Sequence, residues 1–212
     1  MTDILWTRPD GRSQGTFLLA HGSGAGMDTP FLSPLAQNLA SLGVTTARFE
    51  FAFMTERLTR NPKQPESPIS ELVVEFRAAI AATLAGSDGP VVIGGKSLGG
   101  RVAAWVGRAP SLDPRVCGIV SLGYPLSPPK RREIVRLKPL LEARLPLLVM
   151  QGEQDPYGTP EMFEGLDLPA SVTFHWFADG MHDLFPEVCT DAERNQRSRQ
   201  MAEVVAAYVR GF

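Results

Sequence analysis

The stretch that most constrains the fold runs from Pro90 to Arg101 and reads PVVIGGKSLGGR. A β-branched run, Val91 to Ile93, is followed by two glycines, by Lys96-Ser97-Leu98 and by two more glycines. This pattern predicts a buried strand, a very tight turn with Ser97 at its apex, and then a helix. The glycines two residues before and two after the serine fit such a turn, because a Cβ at either position would crowd it. The pattern predicts an exposed serine hydroxyl between a strand and a helix.

The rest of the chain alternates between apolar strand patterns and amphipathic helix patterns. Buried strands are predicted at residues 15–20, 44–51, 91–93, 116–122, 147–151 and 172–177, with an edge strand at residues 5–6. Helices are predicted at residues 30–42, 70–84, 101–108 and 193–210. Strands that are apolar throughout and alternate with helices indicate an α/β fold, in which helices cover both faces of a mostly parallel sheet. No repeat or break in composition divides the chain, so we expect one domain over residues 1–212.

Composition excludes several classes of function. The formal net charge of −2 gives no case for binding nucleic acid or a membrane surface. The first 13 residues lack the pattern of a signal peptide, and no apolar run approaches the roughly 20 residues of a membrane span. The two cysteines, Cys117 and Cys189, lack the spacing of metal ligands. We therefore expect reduced thiols, a cytoplasmic location and no metal site.

Polar residues that directly follow the predicted strands are the candidates for chemistry, because sites gather at the carboxyl ends of parallel strands. Ser97, Asp155 and His182 occupy such positions, in the chain order nucleophile, acid, base. Glu153 is an alternative acid, and a turn-forming role is an alternative for Asp155. Two further histidines have structural interpretations, since His21 lies in a glycine-rich loop and His175 lies inside a strand pattern. Lys96 is expected to be solvated or packed, not catalytic.

Several motifs together resemble those of the α/β-hydrolases along nearly the whole chain. More narrowly, they resemble small lidless bacterial hydrolases related to the testis-expressed hydrolase-like proteins and to an animal chromatin-complex subunit, a group similar to the dienelactone hydrolases. The motifs are HGSGAGM at 21–27, RFEF at 48–51, GGKSLGGR at 94–101, QGEQDP at 151–156 and GMHD at 180–183. The resemblance implies an α/β-hydrolase fold with a catalytic triad of Ser97, His182 and Asp155. The N–H of Leu98 and an N–H from the loop at Ser23 would then form the oxyanion hole.

Two functions from different classes are consistent with these residues. The first is a serine hydrolase that cleaves a carboxylic ester, or a thioester, through an acyl-enzyme and needs no cofactor. The second is a non-catalytic binding or scaffold module on a hydrolase fold, and the presence of all three triad residues favours the enzyme. A serine at position 97 argues against the cysteine chemistry of dienelactone hydrolases and against mechanisms with a carboxylate nucleophile.

The substrate is predicted only in outline. His21, Phe51, Phe53 and Met54 are candidates for substrate binding, although core packing is an equal alternative for the last three. Residues 123–145 are too few for a large lid, which predicts a shallow, open site for a small ester. Two basic clusters follow predicted strands and would attract an anionic substrate if they are more than a solvated surface: Arg57, Arg60 and Lys63, and Lys130, Arg131, Arg132, Arg136 and Lys138.

Overall fold

Seven strands form one sheet in the computed structural model, which describes residues 2–212. The strands are β1 (Leu5–Thr7), β2 (Thr16–Ala20), β3 (Thr45–Phe49), β4 (Val91–Lys96), β5 (Val116–Leu122), β6 (Leu147–Gly152) and β7 (Val172–Phe177). Their spatial order is β1-β3-β2-β4-β5-β6-β7. The edge strand β1 pairs with β3 in the antiparallel direction, and every other pairing is parallel. The predicted mostly parallel sheet is confirmed.

Helices cover both faces of this sheet. They are α1 (Leu32–Ser41), α2 (Ala52–Thr59), α3 (Ile69–Ala85), α4 (Leu98–Val106), α5 (Lys138–Leu141), α6 (Pro160–Phe163) and α7 (Asp191–Arg210). One apolar core lies between the sheet and α3 with α4, and a second lies between the sheet and α1 with α7. Because successive strand residues point to opposite faces, both faces of a central strand need apolar side chains.

Strand β2 illustrates why these strands are apolar throughout. All five of its residues are buried. Phe17 and Leu19 pack into the core beneath α1 and α7, whereas Leu18 and Ala20 pack into the core beneath α3 and α4. An alternating polar pattern would place polar groups in one of these two cores, at a cost of a few kcal/mol for each unpaired group.

The sequence prediction missed helix α2 and the short helices α5 and α6. Strand β3 ends at Phe49, two residues before the predicted end, because Phe51 already caps α2. The Ala52 N–H at the start of α2 donates a 2.7 Å hydrogen bond to Glu75 Oε2 of α3. This contact joins residues that are far apart in the sequence, so the local pattern did not indicate where the helix begins.

The carboxyl ends of β2, β4, β6 and β7 lie along one edge of the sheet. The loops that leave these ends carry the glycine-rich segment 21–26, Ser97, Asp155 and His182. Among the helices within residues 2–212, none has the length and apolar character needed to cross a bilayer.

Candidate active site

Ser97 lies at the apex of a strained turn between β4 and α4. Its backbone has φ +50° and ψ −107°, a conformation that side-chain-bearing residues adopt rarely. A Cβ added to Gly95 would lie 2.6 Å from the carbonyl oxygen of Ala20, and one added to Gly99 would lie 2.7 Å from the same oxygen. The glycines on either side of Ser97 therefore allow the turn to pack against the end of β2.

Three side chains from separate loops form a hydrogen-bonded chain at this turn. His182 Nε2 lies 2.8 Å from Ser97 Oγ, and His182 Nδ1 lies 2.8 Å from Asp155 Oδ2. Since an ionised carboxylate only accepts hydrogen bonds, Nδ1 carries the ring proton and Nε2 is free to accept the serine proton. The structure thus brings together the three residues that the sequence indicated as nucleophile, base and acid.

Asp155 is fully buried and held by donors on both oxygens. Its Oδ1 accepts the Tyr157 N–H at 2.8 Å, and its Oδ2 accepts a hydrogen bond from Gln151 Nε2 at 2.7 Å in addition to the histidine. Gln151 is itself buried, and its Oε1 accepts the Tyr124 N–H at 2.7 Å. The alternative acid, Glu153, is exposed and makes none of these contacts.

Two backbone N–H groups beside Ser97 are free to stabilise a developing negative charge. The Leu98 N–H is the first of α4, and neither it nor the Ser23 N–H donates to any acceptor within residues 2–212. The loop that carries Ser23 passes close to Ser97, since a Cβ on Gly22 would lie 3.7 Å from Ser97 Cβ. Arg57 anchors this loop through a 2.5 Å hydrogen bond from its Nη1 to the Ser23 carbonyl.

A cleft of about 630 Å³ opens over Ser97 and His182. The residues that line it include the glycine-rich segment 22–26, residues 29–32, Tyr157, Phe185 and Arg194, with Lys96 and Asp183 beside the reacting residues. The rings of Phe31 and Phe185, which both line the cleft, pack edge to face with their centroids 5.6 Å apart. The cleft is therefore largely apolar, with a polar reacting centre at its base.

The comparisons with known proteins agree with this geometry. Residues 13–210 match the family model of the alpha/beta hydrolase domain. The chain belongs to the alpha/beta-hydrolase superfamily. Three solved structures share its fold at low sequence identity.

These structural relatives of the hydrolase domain are matched over nearly their whole length. A serine hydrolase homologue from Coxiella burnetii is 20% identical with a TM-score of 0.70, over 97% of this chain and 90% of the other. A dienelactone hydrolase from Anabaena variabilis is 21% identical with a TM-score of 0.73, over 99% and 91%. A serine hydrolase without a lid from Xanthomonas campestris is 18% identical with a TM-score of 0.63, over 98% and 88%. At these identities the similarity establishes the shared fold.

The residues predicted to bind substrate lie elsewhere in this hydrolase domain. Phe51, Phe53 and Met54 are at most 2% exposed and belong to the core beneath α3, and none of them lines the cleft. His21 is also fully buried and does not line it. At Phe51, Phe53 and Met54 the structure shows core packing, the alternative that the sequence left open. The chain turns into α2 directly after β3, and that turn directs the aromatic rings inward.

His21 has a structural role instead. Its Nε2 accepts the Phe51 N–H at 3.0 Å, so its Nδ1 carries the proton and donates to the Gly22 carbonyl at 2.7 Å. The imidazole thereby joins the glycine-rich loop to the start of α2. Burial lowers the pKa of His21, and a smaller opposing effect comes from its hydrogen bond to the Gly22 carbonyl.

This lowered pKa predicts a loss of stability in mild acid. Below about pH 6.5 the unfolded chain protonates His21 while the folded chain does not, so the free energy of unfolding falls as the pH falls. The contribution is at most about 1.4 kcal/mol per pH unit, and it ends once the pH drops below the folded pKa. Urea unfolding of wild type and His21→Gln between pH 5 and pH 8 measures it. We expect the variant to be less stable above pH 7 and to have a shallower pH dependence; parallel pH curves would contradict the assignment.

Several residues at the cleft had no recognised signal in the sequence. The Tyr157 ring stacks near the His182 ring, with a centroid distance of 4.4 Å and an angle of 32° between the planes. Gln151 orients Asp155, and Arg194 lies over Phe185 with its guanidinium carbon 4.8 Å from the ring centroid. Gln151 and Tyr157 lie close to Asp155 in the sequence. This closeness to the predicted acid was the one signal that could have indicated their contacts with it.

The two basic clusters are not part of the cleft wall. Arg57 is committed to the carbonyls of Ser23 and Gln64, and Arg136 donates to the Pro125 carbonyl at 3.2 Å. Lys130, Arg131 and Lys138 lie on the exposed surface. Within the described residues, no group of three or more His, Cys, Asp or Glu side chains could hold a metal ion.

Proposed function

We propose that this chain is a serine hydrolase that cleaves a carboxylic ester, or a thioester, of a small substrate through an acyl-enzyme intermediate. The observation that carries the proposal is the continuous hydrogen-bonded chain from Ser97 through His182 to Asp155, placed at the base of an open cleft. A nucleophile, a base in the correct tautomer and a buried acid are the parts that acyl transfer needs.

Acylation would begin when Ser97 Oγ attacks the carbonyl carbon while its proton passes to His182 Nε2. The new C–O bond leaves a negative charge on the carbonyl oxygen, where the N–H groups of Leu98 and Ser23 can donate to it. Each such donor is typically worth about 3 kcal/mol in the transition state. When the tetrahedral intermediate collapses, the leaving alcohol or thiol takes the proton from His182 and departs, and the acyl group stays on Ser97.

Deacylation would repeat these steps with water as the nucleophile. His182 Nε2 accepts a proton from the attacking water, and the second tetrahedral intermediate expels Ser97 Oγ, which recovers its proton from His182. Throughout, the Asp155 carboxylate holds the imidazole tautomer and stabilises the imidazolium that forms twice in each cycle. Water can reach the acyl-enzyme because the cleft is open to solvent and no large lid covers it.

A fluorophosphonate probe tests this proposal directly, because it reacts with an activated serine hydroxyl. We expect rapid labelling of the wild-type protein, with the adduct located at Ser97 by peptide mass spectrometry. Hydrolysis of a panel of short-chain esters and thioesters should accompany it and should stop when labelling is complete. A folded wild-type protein that neither labels nor hydrolyses the panel would favour the alternative, a binding or scaffold module on the hydrolase fold.

The absence of a large lid supports a preference for small or flexible acyl groups. The apolar wall at Phe31 and Phe185 offers a short surface for an acyl or alcohol group, and the cleft is open to solvent beyond it. Strong activity on long-chain triglycerides would contradict this part of the proposal.

A cytoplasmic location is also part of the proposal. The two cysteines, which are both free thiols, support it.

An anionic group on the substrate would be bound by Arg194. Arg194 lines the cleft, its guanidinium lies over Phe185, and it forms no ion pair with a carboxylate within residues 2–212. Arg194→Gln should lower kcat/KM for a dicarboxylic acid monoester by about tenfold, the usual value of one charge-assisted hydrogen bond. The matched neutral diester should be almost unaffected, and paired steady-state assays on both substrates measure the difference.

Two sets of control variants locate this effect. Arg199→Gln removes an exposed arginine from the same helix, and it should leave both substrates unchanged. Arg60→Gln and Lys63→Gln test the basic cluster of Arg57, Arg60 and Lys63. Each variant should change the kcat/KM of both substrates weakly or not at all. If Arg194→Gln lowered turnover of the neutral and anionic esters equally, anion recognition by this residue would be ruled out.

A further inference from the structure

The proposed mechanism assigns no role to Lys96. It is the last residue of β4, directly before the nucleophile, and it is only 8% exposed. Its ammonium donates to the carbonyl oxygen of His182 at 2.8 Å and pairs with Asp183 Oδ1 at 2.9 Å. Both acceptors belong to the loop that carries the catalytic base, so one side chain joins the nucleophile turn to the base loop.

The loop from residue 178 to residue 185 depends on such contacts for its shape. Asp179 and Leu184 have φ of +57° and +65°, a conformation that costs energy for residues with a side chain. Arg197 binds the two ends of this loop through the carbonyls of Ala178 and Leu184. Lys96 binds its centre, at the residue that bears the imidazole and at the next residue.

Gly123, at the end of β5, leaves the space that this arrangement needs. Its φ is +68°, and a Cβ there would lie 2.5 Å from the His182 carbonyl oxygen. The same oxygen that receives the Lys96 hydrogen bond is therefore held close to the backbone of the neighbouring strand. The position of the His182 backbone is thus defined from two sides.

Packing alone does not explain a lysine at this position. Burial lowers the pKa of Lys96, and the Asp183 carboxylate opposes that shift. Burial raises the pKa of Asp183, but the charge and hydrogen bond of Lys96, together with the nearby His182 and Arg194, lower it overall. A methionine of similar length would fill the same space without the cost of desolvating a charge. The lysine supplies what methionine lacks, namely two directed hydrogen bonds to the base loop.

We propose that Lys96 is a positioning residue that keeps His182 in register with Ser97. Because Lys96 and Ser97 are consecutive in the chain, its contacts with His182 and Asp183 fix the base relative to the nucleophile and preserve the 2.8 Å contact between Nε2 and Oγ. The inference rests on the proposed serine hydrolase. It adds a specific reason for the lysine in the GKSLG turn.

Lys96→Met tests the proposal, since it retains the length of the side chain and removes both contacts. We expect kcat for a small ester to fall by between about 10- and 100-fold, the usual effect of misplacing a catalytic group by about 1 Å, with KM changed less than threefold. Fluorophosphonate labelling should slow by a similar factor. Amide hydrogen exchange in residues 178–185 should become faster. Lys96→Arg, which keeps a charged donor, should recover part of the lost kcat.

Asp183→Asn separates the two contacts. It leaves the hydrogen bond to the His182 carbonyl intact and removes the ion pair, so its kcat should lie between those of wild type and Lys96→Met. Lys138→Met is the matched control, because Lys138 is exposed and pairs only with Glu142 one helical turn away. This control should retain wild-type kcat and exchange rates. Circular dichroism and thermal unfolding verify that each variant is folded.

The outcomes distinguish this inference from the proposed function. A folded Lys96→Met variant with kcat within twofold of wild type would overturn the positioning role, as would a change confined to KM. If the wild-type protein were inert towards probes and esters, the proposed function would fail. Hydrogen exchange in residues 178–185 would still decide whether Lys96 holds the loop. Exchange rates in Lys96→Met equal to those of wild type would overturn the inference. If Lys96→Met did not fold, Asp183→Asn and Lys96→Arg would decide by the same measurements.

Discussion

Replacing Ser97 with alanine is expected to lower kcat for a small ester by about six orders of magnitude, to the level left by binding and the oxyanion donors alone. The alanine keeps the strained turn and removes the one atom that forms the covalent intermediate. His182→Ala should have a comparable effect, because the serine is then left without a base. The double variant should be hardly worse than either single variant, since the two residues act as one unit. Stopped-flow and long-duration assays on a chromogenic ester measure the three rates.

Matched controls keep this prediction specific. Ser111→Ala removes an exposed serine that does not line the cleft, and it should have wild-type kinetics. Ser97→Ala should unfold at a denaturant concentration close to that of wild type, since alanine keeps the backbone of the turn and removes one partly exposed hydroxyl. Retention of more than a few per cent of the wild-type kcat by a pure preparation of Ser97→Ala would mean that the nucleophile is another group.

The second large effect is expected for Asp155→Asn, which should lower kcat by about four orders of magnitude, or roughly 5.5 kcal/mol of barrier. The carboxylate accepts hydrogen bonds on both oxygens, from His182 and Gln151 on one and from the Tyr157 N–H on the other. An amide has only one oxygen, so its NH₂ group must face a donor in either orientation. If it faces His182, the ring proton moves to Nε2, and the imidazole can no longer accept the serine proton.

A pH–rate profile and a matched variant complete this test. Activity of Asp155→Asn should increase with pH where hydroxide can replace the general base, a dependence that simple destabilisation would not produce. Glu153→Gln neutralises the other acid of the same turn, and it should retain at least half of the wild-type kcat because Glu153 is exposed. The opposite ranking of the two variants would assign the role of the acid to Glu153.

Much of the architecture could be predicted from local patterns. The strands near Val91, Val116 and Leu147 begin where the apolar runs indicate, because a strand buried on both faces leaves a continuous apolar signal. The elbow was equally predictable, since the crowding around Gly95 and Gly99 permits few other residues. The order of Ser97, Asp155 and His182 then followed from the rule that loops after parallel strands share one edge.

The substrate side of the cleft could not be predicted in this way. Phe51, Phe53 and Met54 follow a strand at the active-site edge, yet a contact between Ala52 and Glu75 begins a helix there and turns these side chains into the core. The cleft is instead walled by Phe31 and Phe185, which come from segments more than 150 residues apart. A hydrophobic pattern in the sequence indicates that a side chain is buried, but it does not indicate which residues that side chain contacts.

Local sequence was thus enough to predict the alternation of strands and helices, the tight serine turn and the candidate triad of Ser97, Asp155 and His182. These properties are local, because they depend on periodicity, on glycine at crowded positions and on the residue that ends each strand. The packing of separate segments was needed to show that Gln151 binds Asp155, that His21 is structural and that Lys96 binds the loop of His182. Each of these roles arises from a distance and a burial that exist only after separate segments pack together, and the local sequence of each residue is compatible with other environments.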